Sequence, residues 1–308
     1  MAFTSTPPAS ALLHGRIVAA YGRQYEVRID GRLPGNNLLM CFPRGKKSLY
    51  ACGDEVEVEA SGETQGVIVA LTPRRSLLHR ADSFKEKLIA ANVTQVVMVA
   101  ATEPGFSDEL LMRCLCAVES QGIEGVIVLN KCDLSTHLQR GRDLLAPFAR
   151  LGHPVLEVSA QEGDLEELRR RLSGHVSLLV GQSGMGKTTL TNVLVPEAAA
   201  RTGIVSEALG SGMHTTTHAR WYDLPGGGAL IDSPGLQAFG LTHLSREQLA
   251  EGFRELKPLR GQCRFRDCRH DREPQCAFRA ALASGVIDAR RFQVFMTLLA
   301  EDDKKPKY

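Results

Sequence analysis

The run Gly181-Gln182-Ser183-Gly184-Met185-Gly186-Lys187-Thr188-Thr189 fits the pattern G-x-x-x-x-G-K-[ST] at every fixed position. No other stretch of the chain narrows the fold as far. An apolar run of strand type, His175 to Val180, precedes it, and Thr189 to Val195 can open a helix behind it. Strand, glycine-rich loop and helix in that order make a phosphate cradle. The glycines let the backbone wrap a phosphate, whose charge the loop amides and the helix N-terminus face. Lys187 is expected to reach the β- and γ-phosphates, and the Thr188 hydroxyl to ligate Mg²⁺. A chance glycine-rich turn would lack the flanking strand and helix.

At 308 residues the chain has room for two or three domains. The net charge is only +2, so any nucleic-acid partner must be met by local basic patches. Residues 1–10 are polar and Pro-rich and lack the apolar core of a signal peptide. No run approaches the length of a membrane span. In that setting the eight cysteines read as reduced thiols or metal ligands. A cytoplasmic protein without a membrane partner, and a monomer, is expected.

Up to about Leu71 the pattern is all-β. Residues 15–20, 25–30, 54–59 and 66–71 carry β-branched residues or alternate with period two. Several short strands in so short a segment predict a small barrel, an OB-fold over 1–72. Arg32, Arg44, Lys46 and Lys47 sit in its loops, and OB-fold loops often bind nucleic acid. Residues 73–80 read as a linker. Beyond them strands at 93–100, 125–130 and 155–159 alternate with helices. The first helix is capped by Ser107, the second spans about 136–151, and the third is capped by Asp164 with Glu167 completing the box. That alternation predicts a parallel sheet covered by helices. Residues 201–220, rich in Gly, Ser and Thr, read as a mobile loop. Strands at 221–223 and 228–232 follow, then helical stretches bracketing a cysteine cluster.

Asn130-Lys131-Cys132-Asp133 ends a predicted strand, where open α/β sheets bind ligands. The Asp133 carboxylate can accept from the N1–H and exocyclic amine of guanine, which adenine does not offer, and the Lys131 stem can cover the base. Ser159-Ala160, ending the next strand, matches the element that backs the guanine carbonyl. Asp232-Ser233-Pro234-Gly235 follows another apolar strand. There Asp232 can hold Mg²⁺ and the Gly235 amide can sense the γ-phosphate. His214-Thr215-Thr216-Thr217 lies between, where a switch loop supplies a metal-binding hydroxyl; which Thr does so stays open. The order is unusual: residues 130–133 and 159–160 precede the phosphate loop, which implies a circularly permuted domain over 73–242.

Cys263, Cys268, His270 and Cys276 supply three thiolates and an imidazole, a closed tetrahedral set for one structural Zn²⁺. Seven bases (Arg254, Lys257, Arg260, Arg264, Arg266, Arg269, Arg272) stand against three acids (Glu255, Asp267, Asp271). That leaves about +4 around the cluster, which suits an RNA backbone. The other five cysteines read as structural. The fold class is α/β multidomain: an N-terminal β-barrel (OB-fold), a central circularly permuted P-loop GTPase domain, and a mostly helical zinc-binding domain over 243–308.

Ala90-Ala91-Asn92-Val93, Asn130 to Asp133, Gly181 to Thr189, Gly212-Met213-His214-Thr215-Thr216-Thr217, Asp232 to Gly235 and the cysteine cluster together closely resemble the RsgA family, also called YjeQ or YloQ. The resemblance covers nearly the whole chain, and Met213 is a small departure from it. It implies a GTPase that binds GTP and GDP, acts late in assembly of the small ribosomal subunit, contacts its rRNA and is stimulated by it. Leu236 stands where many GTPases carry a water-orienting Gln. His214 is the nearest substitute by motif, and the resemblance points to it. Two rivals remain from the residues alone: a P-loop enzyme acting on a small molecule, against which Asn130 to Asp133 argues, and an RNA-binding module with a structural nucleotide.

Overall fold

The computed structural model describes residues 12–31, 37–45, 50–82, 85–163, 165–196, 198, 218–233, 241 and 244–303. The barrel is built from β1 (Leu12–Tyr21), β2 (Gln24–Ile29), β3 (Leu38–Pro43), β4 (Glu55–Ala60) and β5 (Gln65–Leu71). Alternation drives it. Val56 and Val58 are buried while Glu55, Glu57 and Glu59 between them are half-exposed. They join Ile17, Tyr25, Val27, Ile29, Leu39, Cys41 and Ile68 in a closed core. The strand order is β1-β2-β3-β5-β4, with β4 returning to β1 and β3 parallel to β5. That is the OB-fold order expected from the sequence. The sequence reading missed β3, whose segment neither alternates nor lacks proline.

The expected linker is half right. Arg74 is anchored, with Nε and Nη2 each 2.7 Å from the fully buried Asp54 carboxylate. Then β6 (Leu77–Asp82) and β7 (Lys85–Ala91) form an antiparallel hairpin in place of loose chain. Asn92, at φ 57°, accepts from the Arg75 amide and donates to the Gly53 carbonyl. Gly53 must be glycine here: at φ 94° a Cβ would stand 2.2 Å from the Ala91 carbonyl oxygen.

The remaining chain is a doubly covered sheet. Its elements are β8 (Gln95–Ala101), α1 (Asp108–Glu119), β9 (Glu124–Asn130), α2 (Leu138–Arg150), β10 (Val155–Glu157), α3 (Glu166–Leu172), β11 (Val176–Val180), α4 (Lys187–Leu194), β12 (Arg220–Asp223) and β13 (Ala229–Asp232). β8 is buried at every position, as a strand covered on both faces must be. Ser107 caps α1 as expected, its Oγ accepting from the Leu110 amide. The cap residue of α3 is Leu165, without a side-chain cap bond; Asp164 lies outside the described residues. The order is β10-β9-β8-β11-β13-β12, parallel except for β12. Ala19 of β1 pairs with Arg220 of β12, so barrel and sheet are continuous.

The C-terminal part is helical: α5 (Arg246–Glu251), α6 (Ala277–Ala283) and α7 (Ala289–Asp303). Ser245 and Gln248 make a capping box on α5. Phe253, Phe278 and Phe295 pack into the same core as α1 and one face of the sheet. A buried Arg291–Glu255 pair lies there, with the guanidinium over the rings of Phe148 and Phe253. Among the described residues no helix is long and apolar enough to cross a membrane.

Candidate nucleotide and metal sites

Four loops meet at the C-terminal ends of parallel strands, the place where open α/β sheets hold ligands. The loop after β11 is the glycine-rich one. Gly186 caps α4 at φ 89°, and a Cβ on it would stand 2.3 Å from Asn130 Nδ2. Only glycine allows that approach. Asn130, at the end of β9, uses it: Nδ2 donates to the Met185 carbonyl at 2.9 Å, and Oδ1 accepts from the Ala160 amide at 3.2 Å. One buried side chain thus ties the phosphate loop to both loops of the expected base site. Sequence reasoning gave Asn130 a ligand role and missed this one.

Lys187 is buried and its Nζ donates to the carbonyls of Gly181 (2.8 Å) and Gln182 (2.9 Å). Burial lowers its pKa, and the neighbouring Asp232 works against that shift. Asp232 ends β13, buried, paired in register with Leu179 of β11. Ser233 is anchored by its Oγ on the Leu179 carbonyl at 2.9 Å. Thr188 and Thr189 lie in the first turn of α4, and Ser183, Gly184 and Met185 complete the loop.

On the base side Ser159 Oγ donates to Asp133 Oδ1 at 2.6 Å, which fixes the carboxylate. Lys131, at φ 64°, donates through Nζ to the Glu103 carbonyl at 2.7 Å. Cys132 faces neither loop: its amide donates to the Val158 carbonyl and its thiol to the Leu129 carbonyl. The structure therefore brings Asn130, Lys131, Asp133, Ser159, Ala160, Lys187 and Asp232 together at the C-terminal ends of the parallel strands. His214, Thr215, Thr216 and Gly235 lie outside the described residues.

The ligand atoms of Cys263, Cys268, His270 and Cys276 all lie within 4.8 Å of one another. The Cys263–Cys276 sulfurs are 3.9 Å apart, and His270 Nδ1 is 3.6 and 3.4 Å from them. A tetrahedron with zinc–sulfur bonds of about 2.3 Å has edges of about 3.8 Å, so the donor set fits Zn²⁺. The His270 ring stacks on Phe278 at 4.0 Å. Glu273, which the sequence did not single out, accepts from the amides of Arg269, Asp271 and Arg272 and closes the knuckle.

The local charge surplus is smaller than the count suggested. Arg254 and Lys257 are paired with Glu119, and Arg260 with Glu251, acids outside the counted set. Arg264, Arg266, Arg269 and Arg272 remain on the knuckle beside Asp267 and Asp271, Arg272 3.7 Å from Asp271. In the barrel Arg44 is paired with Glu59, while Arg32, Lys46 and Lys47 lie outside the described residues. The other five cysteines are structural in their electrostatics. Burial pushes the thiols of Cys41 and Cys116 up to about 12, and those of Cys52, Cys114 and Cys132 upward as well.

The model of the family described as RsgA GTPase matches residues 71–242. A "Small ribosomal subunit biogenesis GTPase RsgA" of Burkholderia pseudomallei is 49% identical over 290 residues, covering 93% of this chain and 91% of that one. One of Ralstonia pickettii is 47% identical over 299 residues, covering 95% and 94%. The crystal structure of YjeQ from Thermotoga maritima is 28% identical with a TM-score of 0.71, covering 96% of this chain and all (100%) of that one. The structure of YloQ, a circularly permuted GTPase, has a TM-score of 0.69 at 24% identity, covers 99% and 100%, and supports the fold. On the matched length and identity, the chain belongs to the RsgA GTPase family.

Proposed function

We propose that this chain is a GTP hydrolase acting late in assembly of the small (30S) ribosomal subunit, as a checkpoint that binds rRNA and is stimulated by the subunit. The observation that carries this is the convergence of the phosphate loop, Asn130 to Asp133, Ser159-Ala160 and Asp232 at the ends of four parallel strands. The names of its relatives supply the partner. The chain divides into an OB-fold over 1–72, a circularly permuted G domain over 73–242 and a zinc domain over 243–308.

Asp133, held by Ser159, takes the guanine edge, and Lys131 and Ala160 line the base. The amides of residues 181–189 and the Lys187 ammonium take the phosphates of GTP or GDP. Thr188, Asp232 and either Thr215 or Thr216 would hold Mg²⁺, which when bound neutralises charge developing on the phosphates. Gly235 senses the γ-phosphate. Leu236 offers no group to orient water, so His214 takes that role. Cys263, Cys268, His270 and Cys276 hold one structural Zn²⁺, and the arginines of that knuckle and the barrel loops face rRNA. The protein works in the cytoplasm as a monomer.

GTP turnover measured against added small subunits, large subunits and free RNA tests the reading. Stimulation by small subunits alone is expected; equal stimulation by all three refutes the partner. In the same assay His214→Ala should retain GTP affinity and lose most of the stimulation, whereas Lys187→Ala should lose nucleotide binding.

A further inference from the structure

The segment joining β8 to α1, residues 102–107, crosses the outside of the nucleotide site and touches both of its halves. The Glu103 carbonyl accepts from Lys131 Nζ at 2.7 Å, on the base side. Pro104 lies against the phosphate loop: a Cβ on Gly184 would stand 3.0 Å from Pro104 Cγ. The Ser107 amide donates to the Gln182 side-chain oxygen at 2.7 Å. Gln182 is a free position of the phosphate-loop pattern, so the pattern gives its side chain no task. Here that side chain is aimed away from the phosphate cradle, at the first turn of α1.

The C-terminal helices grip α1 along its length. At its start Arg290 of α7 makes a two-point pair with Asp108 (2.9 and 3.0 Å). In its middle Arg113 bonds Glu301 of α7 at 2.8 and 2.5 Å. At its end Glu119 accepts from Arg254 and Lys257. Between them α5 and its exit approach so closely that a Cβ on Gly252 would stand 2.4 Å from Cys116 Sγ. A shift of the zinc-bearing part therefore moves α1, whose N-cap residue Ser107 is bonded to Gln182.

We infer that Gln182 is a positioning residue: its bond to Ser107 transmits the hold of the C-terminal helices on α1 to the phosphate loop. The inference rests on the nucleotide reading above and adds a regulator to that site. It also gives the zinc-bearing part a route to the phosphates through packed structure, separate from the chain segment that follows Asp232.

The test is a double-mutant cycle on the full chain, read as the dissociation constant of a fluorescent GDP together with the melting midpoint. Gln182→Leu keeps the bulk and loses the acceptor, and should weaken binding roughly fivefold, the loss of one neutral hydrogen bond. Gln182→Glu keeps an acceptor oxygen and should recover most of it. Arg290→Ala should weaken binding about threefold in the wild-type background and not at all beside Gln182→Leu. Val58→Ala, in the separate core of the barrel, controls for stability: it should lower the midpoint and leave affinity unchanged. Unchanged affinity in Gln182→Leu, or an equal effect of Arg290→Ala in both backgrounds, overturns the inference. A wild type that binds adenine and not guanine nucleotide refutes the guanine reading instead, and the same cycle is then read with the adenine nucleotide.

Discussion

Replacing Glu26 by Gln probes how firmly the barrel is fixed to the sheet that carries the nucleotide loops. Arg220, the first residue of β12, reaches back to the barrel. Its Nη2 is 2.9 and 2.8 Å from the two Glu26 oxygens and 2.6 Å from the Tyr21 hydroxyl. Both partners of the ion pair are about one-fifth exposed, 20% and 21%. Unit charges at this separation attract by roughly 6 kcal/mol at an effective dielectric of about 20. Taking two partly buried ions out of water cancels most of that. What remains is a charge-assisted hydrogen bond, of which Gln keeps the acceptor and loses the charge; the expected cost is about 2 kcal/mol. The assay is built in. Trp221, the single tryptophan, follows Arg220, with its indole N–H on Asp223 and the Arg16 guanidinium 4.8 Å above its ring. Urea unfolding followed by its fluorescence, at a slope of about 2 kcal/mol/M, should lose about 1 M in midpoint. A midpoint within about 0.2 M of wild type at unchanged slope refutes the reasoning, because the pair would then be screened like an ordinary surface pair.

Asp133→Asn should weaken GDP and GTP binding and favour xanthosine nucleotides, since the acceptor becomes partly a donor; unchanged GDP affinity in titration calorimetry removes the assignment. Purified protein should carry one zinc per chain by elemental analysis, and Cys268→Ser should lose it and melt the knuckle, because structural zinc supplies folding energy outright. His153 is 3% exposed, and burial, with Arg254 adding, lowers its pKa from 6.5 to about 4 against the opposing pull of Glu119. A depressed folded pKa means stability that is complete above about pH 6.5 and lost as pH falls toward 4, by up to about 3 kcal/mol; melting profiles of wild type and His153→Leu that run parallel over that window refute it.

What was legible in the sequence is what local pattern dictates. Clean alternation placed β4, the apolar run placed β8, and the glycine-rich loop fixed where the phosphates belong. The strand Leu38–Pro43 was not legible because its own run does not alternate; it is fixed by pairing on both sides, with β2 before it and with β5 more than twenty residues on. The hairpin of β6 and β7 was hidden because its polar, basic residues do not alternate with apolar ones, and the Arg74–Asp54 anchor that precedes it joins residues 20 apart. At the site, residue types announced the ligand contacts, and the supports stayed silent. Nothing in the spacing says that Asn130 bonds Met185, or that Gln182 bonds Ser107 from 75 positions away. The charge count near the cysteines did not include Glu119 and Glu251, two carboxylates on other helices that pair with three of the bases.

The permuted order has a mechanical consequence that the sheet makes concrete. Strand neighbours are set by pairing, so the cut in the chain leaves the nucleotide loops where an unpermuted domain would have them. It changes what hangs from the edge. β12 is the antiparallel strand that joins the parallel sheet to the barrel, and it is paired in register, Arg220 to Asp232, with the strand that ends on the expected Mg²⁺ ligand. The barrel attaches to that same strand through Ala19 and the Arg220–Glu26 pair. The C-terminal part begins just beyond β13 and folds back on α1, whose first turn holds Gln182. Two flanking parts therefore press on the phosphate site from opposite edges of the loop cluster, one through β12 and one through α1. A small ribosomal subunit that fixes both at once would constrain the phosphate site more strongly than either contact alone. On that reading, Glu26→Gln and Gln182→Leu should each lower subunit-stimulated turnover, and together should lower it by more than the product of the two separate effects.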